Sequence, residues 1–215
     1  MAQRLRKKKN LIPRQDACGD LLVRQPQSLR GKWLDGHPEQ QLHIEIGCGR
    51  GGFTVQTAAA NPDVLLVGIE RVADAMIVGM ERAVAENVTN LRFIDLDAIT
   101  LAEVFAPGEV SRIYLNFSDP WKSPRHEKRR LTSPVFLQVY QKILASGGQI
   151  HMKTDNDRLF LYSRRILAEC GFSLSEVTED LHQHGTIPPL TDYEQKFIEQ
   201  GLTINRLVAT WMPTT

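Results

Sequence analysis

Leu42-His-Ile-Glu-Ile-Gly-Cys-Gly-Arg-Gly-Gly52 is a short apolar strand running into a glycine-rich loop, and Gly52 to Ala60 behind it follow a helical pattern. A strand, a turn without side chains and a helix start together make the first unit of a doubly wound nucleotide-binding sheet. The pattern repeats outward from there. Val64 to Ile69, Leu91 to Ile94, Arg112 to Phe117 and Gln149 to Met152 read as strands, with helical stretches at Ala73 to Glu86, Leu101 to Phe105 and Pro134 to Ala145 between them. Such alternation calls for a parallel sheet covered on both faces by right-handed crossovers. Gly147-Gly148 predicts a helix stop ahead of the fifth strand. A long amphipathic helix over Asp157 to Cys170 follows, then two apolar runs, Phe172 to Val177 and Ile204 to Met212, expected to close the sheet edge as an antiparallel, hairpin-like addition. The expected fold is therefore α/β, doubly wound, with a mostly parallel Rossmann-like sheet and an antiparallel C-terminal strand.

With 215 residues, 42% hydrophobic and 24% charged, the chain suits one domain of ordinary core size. Residues 1–40 hold Pro13, Pro26 and Pro38, lack sustained periodicity and are expected to form a basic, partly disordered arm ahead of a domain over 41–215. The net charge of +1 conceals a segregation: Arg4, Arg6, Lys7, Lys8, Lys9 and Arg14 stand without an acid among them, and a second basic block lies at 122–130. This distribution provides a footprint for a polyanion. No apolar run approaches the roughly 18 residues needed to cross a bilayer, and no apolar signal core follows the N-terminal charges. A cytoplasmic protein without membrane partners is expected. Cys18, Cys48 and Cys170 are odd in number and scattered, which argues against a disulfide framework and against zinc.

The glycine loop satisfies two cofactor patterns, Gly47-x-Gly49-x-x-Gly52 for dinucleotides and Gly47-x-Gly49-x-Gly51 for S-adenosylmethionine. Glu70, 21 residues after Gly49 at the end of the second strand, can accept from ribose hydroxyls in either case. Glu45 separates them, because an acid before the loop suits the cationic end of S-adenosylmethionine and would repel a pyrophosphate. Asp97, just after the third strand, can accept from an adenine amino group. At the end of the fourth strand, Asp119-Pro120-Trp121 offers a rigidly presented carboxylate beside a flat stacking face. The basic block begins directly after it.

At these residues the chain resembles the tRNA (guanine-N7)-methyltransferase family, from residue 42 to the C-terminus. The shared motifs are His43-Ile-Glu-Ile-Gly-Cys-Gly-Arg-Gly51, Gly68-Ile-Glu70, Asn116-Phe-Ser-Asp-Pro-Trp121, Arg125-His-Glu-Lys-Arg-Arg130, Lys153-Thr-Asp155 and Thr191-Asp-Tyr-Glu194. The resemblance implies methyl transfer from S-adenosylmethionine to N7 of a guanine in the tRNA variable loop, with a Rossmann-like methyltransferase sheet acting as a monomer or homodimer. It implies Asp119 as the catalytic residue. Glu45, Gly47, Gly49, Glu70, Asp97 and Asp119 then match cofactor positions. Lys122, Ser123, Arg125, His126, Glu127, Lys128, Arg129 and Arg130 match the RNA-contact segment, and Asp155, Thr191, Asp192, Tyr193 and Glu194 match substrate positions. One departure stands out: the family places a Lys two residues after the Trp, where this chain has Ser123, with Lys122 one position early.

Other readings rest on less. An NAD-dependent oxidoreductase is supported only by the glycine loop and Glu70, and a non-enzymatic RNA-binding module leaves the acids at the strand ends without a purpose. His182 and His184 lack a third ligand for a metal, and His126 is not needed as a base. Thr191 with Glu194 also fits a helix capping box.

Overall fold

The computed structural model describes residues 10–36, 41–183, 185 and 188–213. The elements in chain order are α1 (Leu11–Ala17), β1 (Gln41–Ile46), α2 (Gly52–Ala60), β2 (Val64–Ile69), α3 (Ala73–Ala85), β3 (Leu91–Ile94), α4 (Leu101–Val104), β4 (Val110–Asn116), α5 (Pro134–Ile143), β5 (Leu144–Thr154), α6 (Asp157–Glu169), β6 (Phe172–Thr178), α7 (Asp192–Glu199) and β7 (Asn205–Trp211). One seven-stranded sheet has the order β3-β2-β1-β4-β5-β7-β6. The five strands from β3 to β5 are parallel, and β7 runs antiparallel to both its neighbours, β5 and β6. The C-terminal pair is thus antiparallel, with the last strand inserted inside the edge strand.

Apolar residues fill both faces of the sheet, as buried parallel strands require. Ile44, Ile46, Val67, Ile113, Leu115, Ile150 and Met152 belong to one cluster with residues of α4, α5 and α6. Leu66, Phe93 and Tyr114 belong to the other, with Phe53 of α2 and Met76, Ile77 and Met80 of α3. Strand alternation therefore puts His43 and Glu45 on the face opposite Ile44 and Ile46. His43 is buried there, and burial beside Arg112 pushes its imidazole down to about 4, so it stays neutral at physiological pH.

α2 and α3 approach each other through glycine. Gly51 has φ 71°, and a β-carbon on it would lie 2.7 Å from the Gly79 Cα. Gly51→Ala is accordingly expected to cost at least about 2 kcal/mol, from the left-handed backbone and the forced separation. A melting temperature at least about 4 °C lower would register it.

The lead-in is more ordered than its composition predicts. The Arg14 guanidinium grips Glu81 of α3 through two bonds of 2.6 Å, and Val23 donates to the Phe93 carbonyl at 3.0 Å, beside a single parallel bridge from Leu22 to the β3 edge. Buried Trp33 stacks on Phe105 at 5.3 Å and donates its indole N–H to the Val104 carbonyl. Glu109 accepts from the backbone N–H groups of Gly31, Trp33 and Ala106. Residues 10–36 thus pack on the domain rather than trailing from it. The basic residues Arg4 to Lys9 lie outside the described residues.

Between α5 and β5 the chain passes straight from helix to strand at Leu144, ahead of the expected glycine stop. Gly147 and Gly148 instead form a bulge within the strand. Val110 pairs with Leu144, but Arg112 already pairs with Gln149. The bulge resets the register so that Asn116 lies opposite Lys153 beneath the site described next.

Candidate active site

The strand order reverses between β1 and β4, and in an open parallel sheet a crevice forms beyond the carboxyl ends at such a point. A cleft of about 830 Å3 occupies that place. Gly47 lines it after β1, Glu70 and Arg71 after β2, Asp97 and Ile99 after β3, and Asn116, Asp119 and Trp121 after β4. A β-carbon built on Gly47 or Gly49 would meet nothing within 4 Å, and both have left-handed φ. The loop therefore borders open space that only glycines leave clear.

Glu70 ties this loop to β2. One carboxylate oxygen accepts the Gly49 N–H at 3.0 Å and the other the Val72 N–H at 2.9 Å. A carboxylate has about four lone-pair sites, so each oxygen keeps a position for a further donor. Asp97 accepts from the Ile99 N–H at 3.2 Å and pairs with Arg71 at 3.0 Å. That pair is solvent-exposed and weak, so a ligand donor can displace the guanidinium.

Glu45 stands one layer deeper, only 3% exposed. Thr54 donates to one of its oxygens and the Asn116 amide to the other, at 2.9 Å. Burial pushes its carboxyl up to about 7, opposed by those two hydrogen bonds and by the Lys153 charge. Glu45 thus meets the cleft through Asn116 and through its electric field.

The turn after β4 is held in an uncommon conformation. Phe117 has φ 50° and Trp121 φ 40°, each costing about 1 to 2 kcal/mol for a side chain of this size. Asp119 projects between them, exposed. Beyond the turn, Pro124–Arg129 form a 3-10 segment after Ser123. Arg125 and Lys128 are exposed, and Arg129 lies over the Trp121 ring at 4.9 Å, with His126 edge-on to the same ring. Lys128 and Arg129 reach the cleft's rim.

A second cleft, of about 430 Å3, opens on the far side of Pro120 and is lined by Lys122, Asp155 and Arg158 among others. Above the ends of β4 and β5, Glu194 of α7 is fully buried. Its carboxylate takes Lys153 at 2.9 and 3.2 Å, His182 at 3.0 Å and the Thr191 N–H at 3.1 Å, while the Thr191 hydroxyl accepts the Glu194 N–H.

The sequence comparisons with known proteins agree on one family. A sequence-family model described as "Putative methyltransferase" matches residues 39–207. The tRNA (guanine-N(7)-)-methyltransferase of Geobacillus kaustophilus (strain HTA426) is 45% identical over 195 residues, covering 89% of each chain. This chain belongs to the tRNA (guanine-N7)-methyltransferase family. The family's member from Lactococcus lactis subsp. cremoris (strain MG1363) is 41% identical over 200 residues, covering 90% of this chain and 91% of its own. Among solved structures, the 16S rRNA methyltransferase KamB superposes with a TM-score of 0.63 at 16% identity, covering 85% of this chain and 94% of its own. The antibiotic-resistance methyltransferase Kmr gives 0.59 at 18%, with 86% and 92% covered. At such identities the likeness is one of fold, and the sheet of this methyltransferase is the mostly parallel, Rossmann-like methyltransferase sheet.

The site residues read from the sequence fall into distinct groups. Gly47, Glu70, Asp97 and Asp119 line the first cleft, Gly49 is held beside it by Glu70, and Glu45 lies behind it. Lys122 lines the second cleft with Asp155, whereas Ser123 starts the 3-10 segment, so the displaced Lys is the one brought to Asp155. Tyr193 is exposed and lies 6.3 Å from the Phe117 ring; Thr191 and Glu194 form the capping box that starts α7. Arg130 is 12% exposed at the edge of the second cleft, and Glu127 pairs with it. Sequence reading missed Asn116, Arg71 and Lys153. Asn116 and Lys153 stood inside quoted motifs, but only the register of β4 against β5 brings them together. Among the described residues, no group of three His, Cys, Asp or Glu is placed to hold a metal, and no helix is long and apolar enough to cross a membrane.

Proposed function

We propose that this methyltransferase transfers a methyl group from S-adenosylmethionine to N7 of a guanine in the variable loop of tRNA, in the cytoplasm. The observation that carries the reading is the end of β4, where Asp119 stands between a glycine-edged, carboxylate-lined cleft and a rim of exposed cations. The residues fit the cofactor. Glu70 keeps lone pairs for the ribose hydroxyls, Asp97 can take the adenine amino group in place of Arg71, and the loop at Gly47 and Gly49 leaves space for the amino-acid end.

S-adenosylmethionine supplies a methyl group already activated by its sulfonium charge. Guanine N7 holds its lone pair in the neutral base, so no proton has to leave before it attacks. The chain's work is alignment, which accounts for large rate gains when reacting atoms are held in line. Asp119 accepts from the donor edge of the guanine or from the cofactor amino group, fixing one reactant against the other. Arg125, Lys128 and Arg129 hold the phosphates. Lys122 and Asp155, across Pro120, hold further parts of the nucleic acid.

Glu45 gives the reading a pH signature. Its carboxyl is neutral below about 7 and ionised above, and a cationic ligand end favours the ionised form. Affinity for S-adenosylhomocysteine, which keeps the cationic amino group, is therefore expected to rise from pH 6 to pH 8, by up to about tenfold. Calorimetry across that range checks it, and Glu45→Gln should flatten the profile. The activity itself is tested by incubating an unmodified tRNA transcript with methyl-labelled S-adenosylmethionine. Label should enter the RNA, and an enzyme that binds the cofactor but leaves the transcript unlabelled would contradict the proposal.

A further inference from the structure

Asp119 makes no hydrogen bond or ion pair within the described residues, so its direction is set by the main chain that carries it. Phe117, on one side, rests against Tyr193 and Phe197 of α7, at ring separations of 6.3 and 5.6 Å. On the other side stands Arg130. Its Nε donates to the Pro120 carbonyl at 3.0 Å and its Nη2 to the Trp121 carbonyl at 3.4 Å. Its Nη1 meets Glu127 at 3.4 Å, and the guanidinium lies 4.3 Å over the Tyr162 ring of α6.

We propose that Arg130, seated on Tyr162, is a positioning residue that aims Asp119 through the carbonyls of Pro120 and Trp121, and is not one of the cations that bind RNA phosphate. The inference rests on the reading of Asp119 given above. Three features single Arg130 out from its basic neighbours. It is 12% exposed, whereas Arg125, Lys128 and Arg129 are exposed. All three of its nitrogens have protein partners. Its carbonyl acceptors belong to the two residues that follow Asp119, the second of which is in the left-handed conformation. The planar fork matters here: a Lys in this place keeps the charge but cannot span two carbonyls while stacking on a ring.

That difference supplies the test. Arg130→Lys, Arg130→Gln and Tyr162→Leu are measured for single-turnover methylation at saturating tRNA and cofactor, for tRNA affinity across a salt series, and for thermal melting. Arg130→Lys and Arg130→Gln should both lose about ten- to a hundredfold in rate, with tRNA affinity within about twofold and an unchanged salt slope. Tyr162→Leu, outside the basic run, should lose rate in the same way. Added to Arg130→Lys it should cause little further loss, because both changes undo one support. Near-normal rate in Arg130→Lys would overturn the proposal. So would a rate deficit in Arg130→Gln that accompanies a salt slope reduced by about one, the mark of a lost phosphate contact. Where Arg130→Gln melts below the assay temperature, Tyr162→Leu and Arg130→Lys decide. Asp119→Ala measured alongside separates the two readings. Full activity in that variant removes the role of Asp119 itself, whereas an inactive Asp119→Ala beside a fully active Arg130→Lys removes only the support.

Discussion

Asp119→Ala is expected to slow single-turnover methylation by at least about a hundredfold, with tRNA and cofactor affinities each within a few fold of the parent. The expectation follows from what the reaction needs. The nucleophile requires no deprotonation, so the protein's contribution is concentrated in alignment, and misplacement by about 1 Å can already cost a hundredfold. Asp119 lies on the surface of its turn, so its removal leaves no cavity in either apolar cluster. The melting temperature should stay put. Rapid-quench assays with labelled cofactor at saturating tRNA measure the rate, and a folded variant with near-normal turnover would leave the cleft without its aligning group.

Replacing Arg125, Lys128 and Arg129 together by Gln is expected to flatten the salt dependence of tRNA binding by about 2 to 3 units of slope. Each phosphate contact contributes about 0.7 to 0.9 through counterion release. All three side chains are exposed, so the change should not disturb folding, and S-adenosylhomocysteine affinity should be unaltered because Glu70 and Asp97 lie at other strand ends. Arg130 is left in place in this variant, since its guanidinium is committed to Pro120, Trp121, Glu127 and Tyr162. An unchanged slope would make the segment a solvated loop and move the RNA elsewhere on the surface.

The parallel part of the fold was legible because β1, β2 and β3 are short runs built around Leu, Ile and Val and closed by glycine or acid, a pattern buried strands impose wherever helices cover both faces. The lead-in was not legible. It docks through single anchors, the Trp33 indole and the Arg14–Glu81 pair, and isolated anchors leave no periodic trace. The bulge between Leu144 and Gln149 was read as a helix stop because a glycine pair has the same local signature in both settings.

At the site, strand ends announced Glu70, Asp97 and Asp119, since acids that close apolar strands of a doubly wound sheet gather at one edge. The depth of Glu45 was not legible. Alternation turns its side chain towards Thr54 of α2, and nothing in a run of strand residues says which face meets a ligand. Arg130 and its neighbours are equivalent in composition; its burial and its bonds to the carbonyls of Pro120 and Trp121 distinguish it. Glu194 was legible as a capping residue, but its pairing with Lys153 depends on α7 folding back over β5 from a distance of 41 residues along the chain.

The most direct measurement is the position of the transferred methyl group. An unmodified tRNA transcript is methylated to completion, digested, and its nucleosides and fragments are mapped by mass spectrometry, in parallel with a transcript carrying 7-deazaguanosine at the modified position. The account predicts one 7-methylguanosine, located in the variable loop, and no methylation there when carbon replaces N7. Methyl on an exocyclic amine or a ribose, or undiminished methylation of the 7-deazaguanosine position, would contradict it.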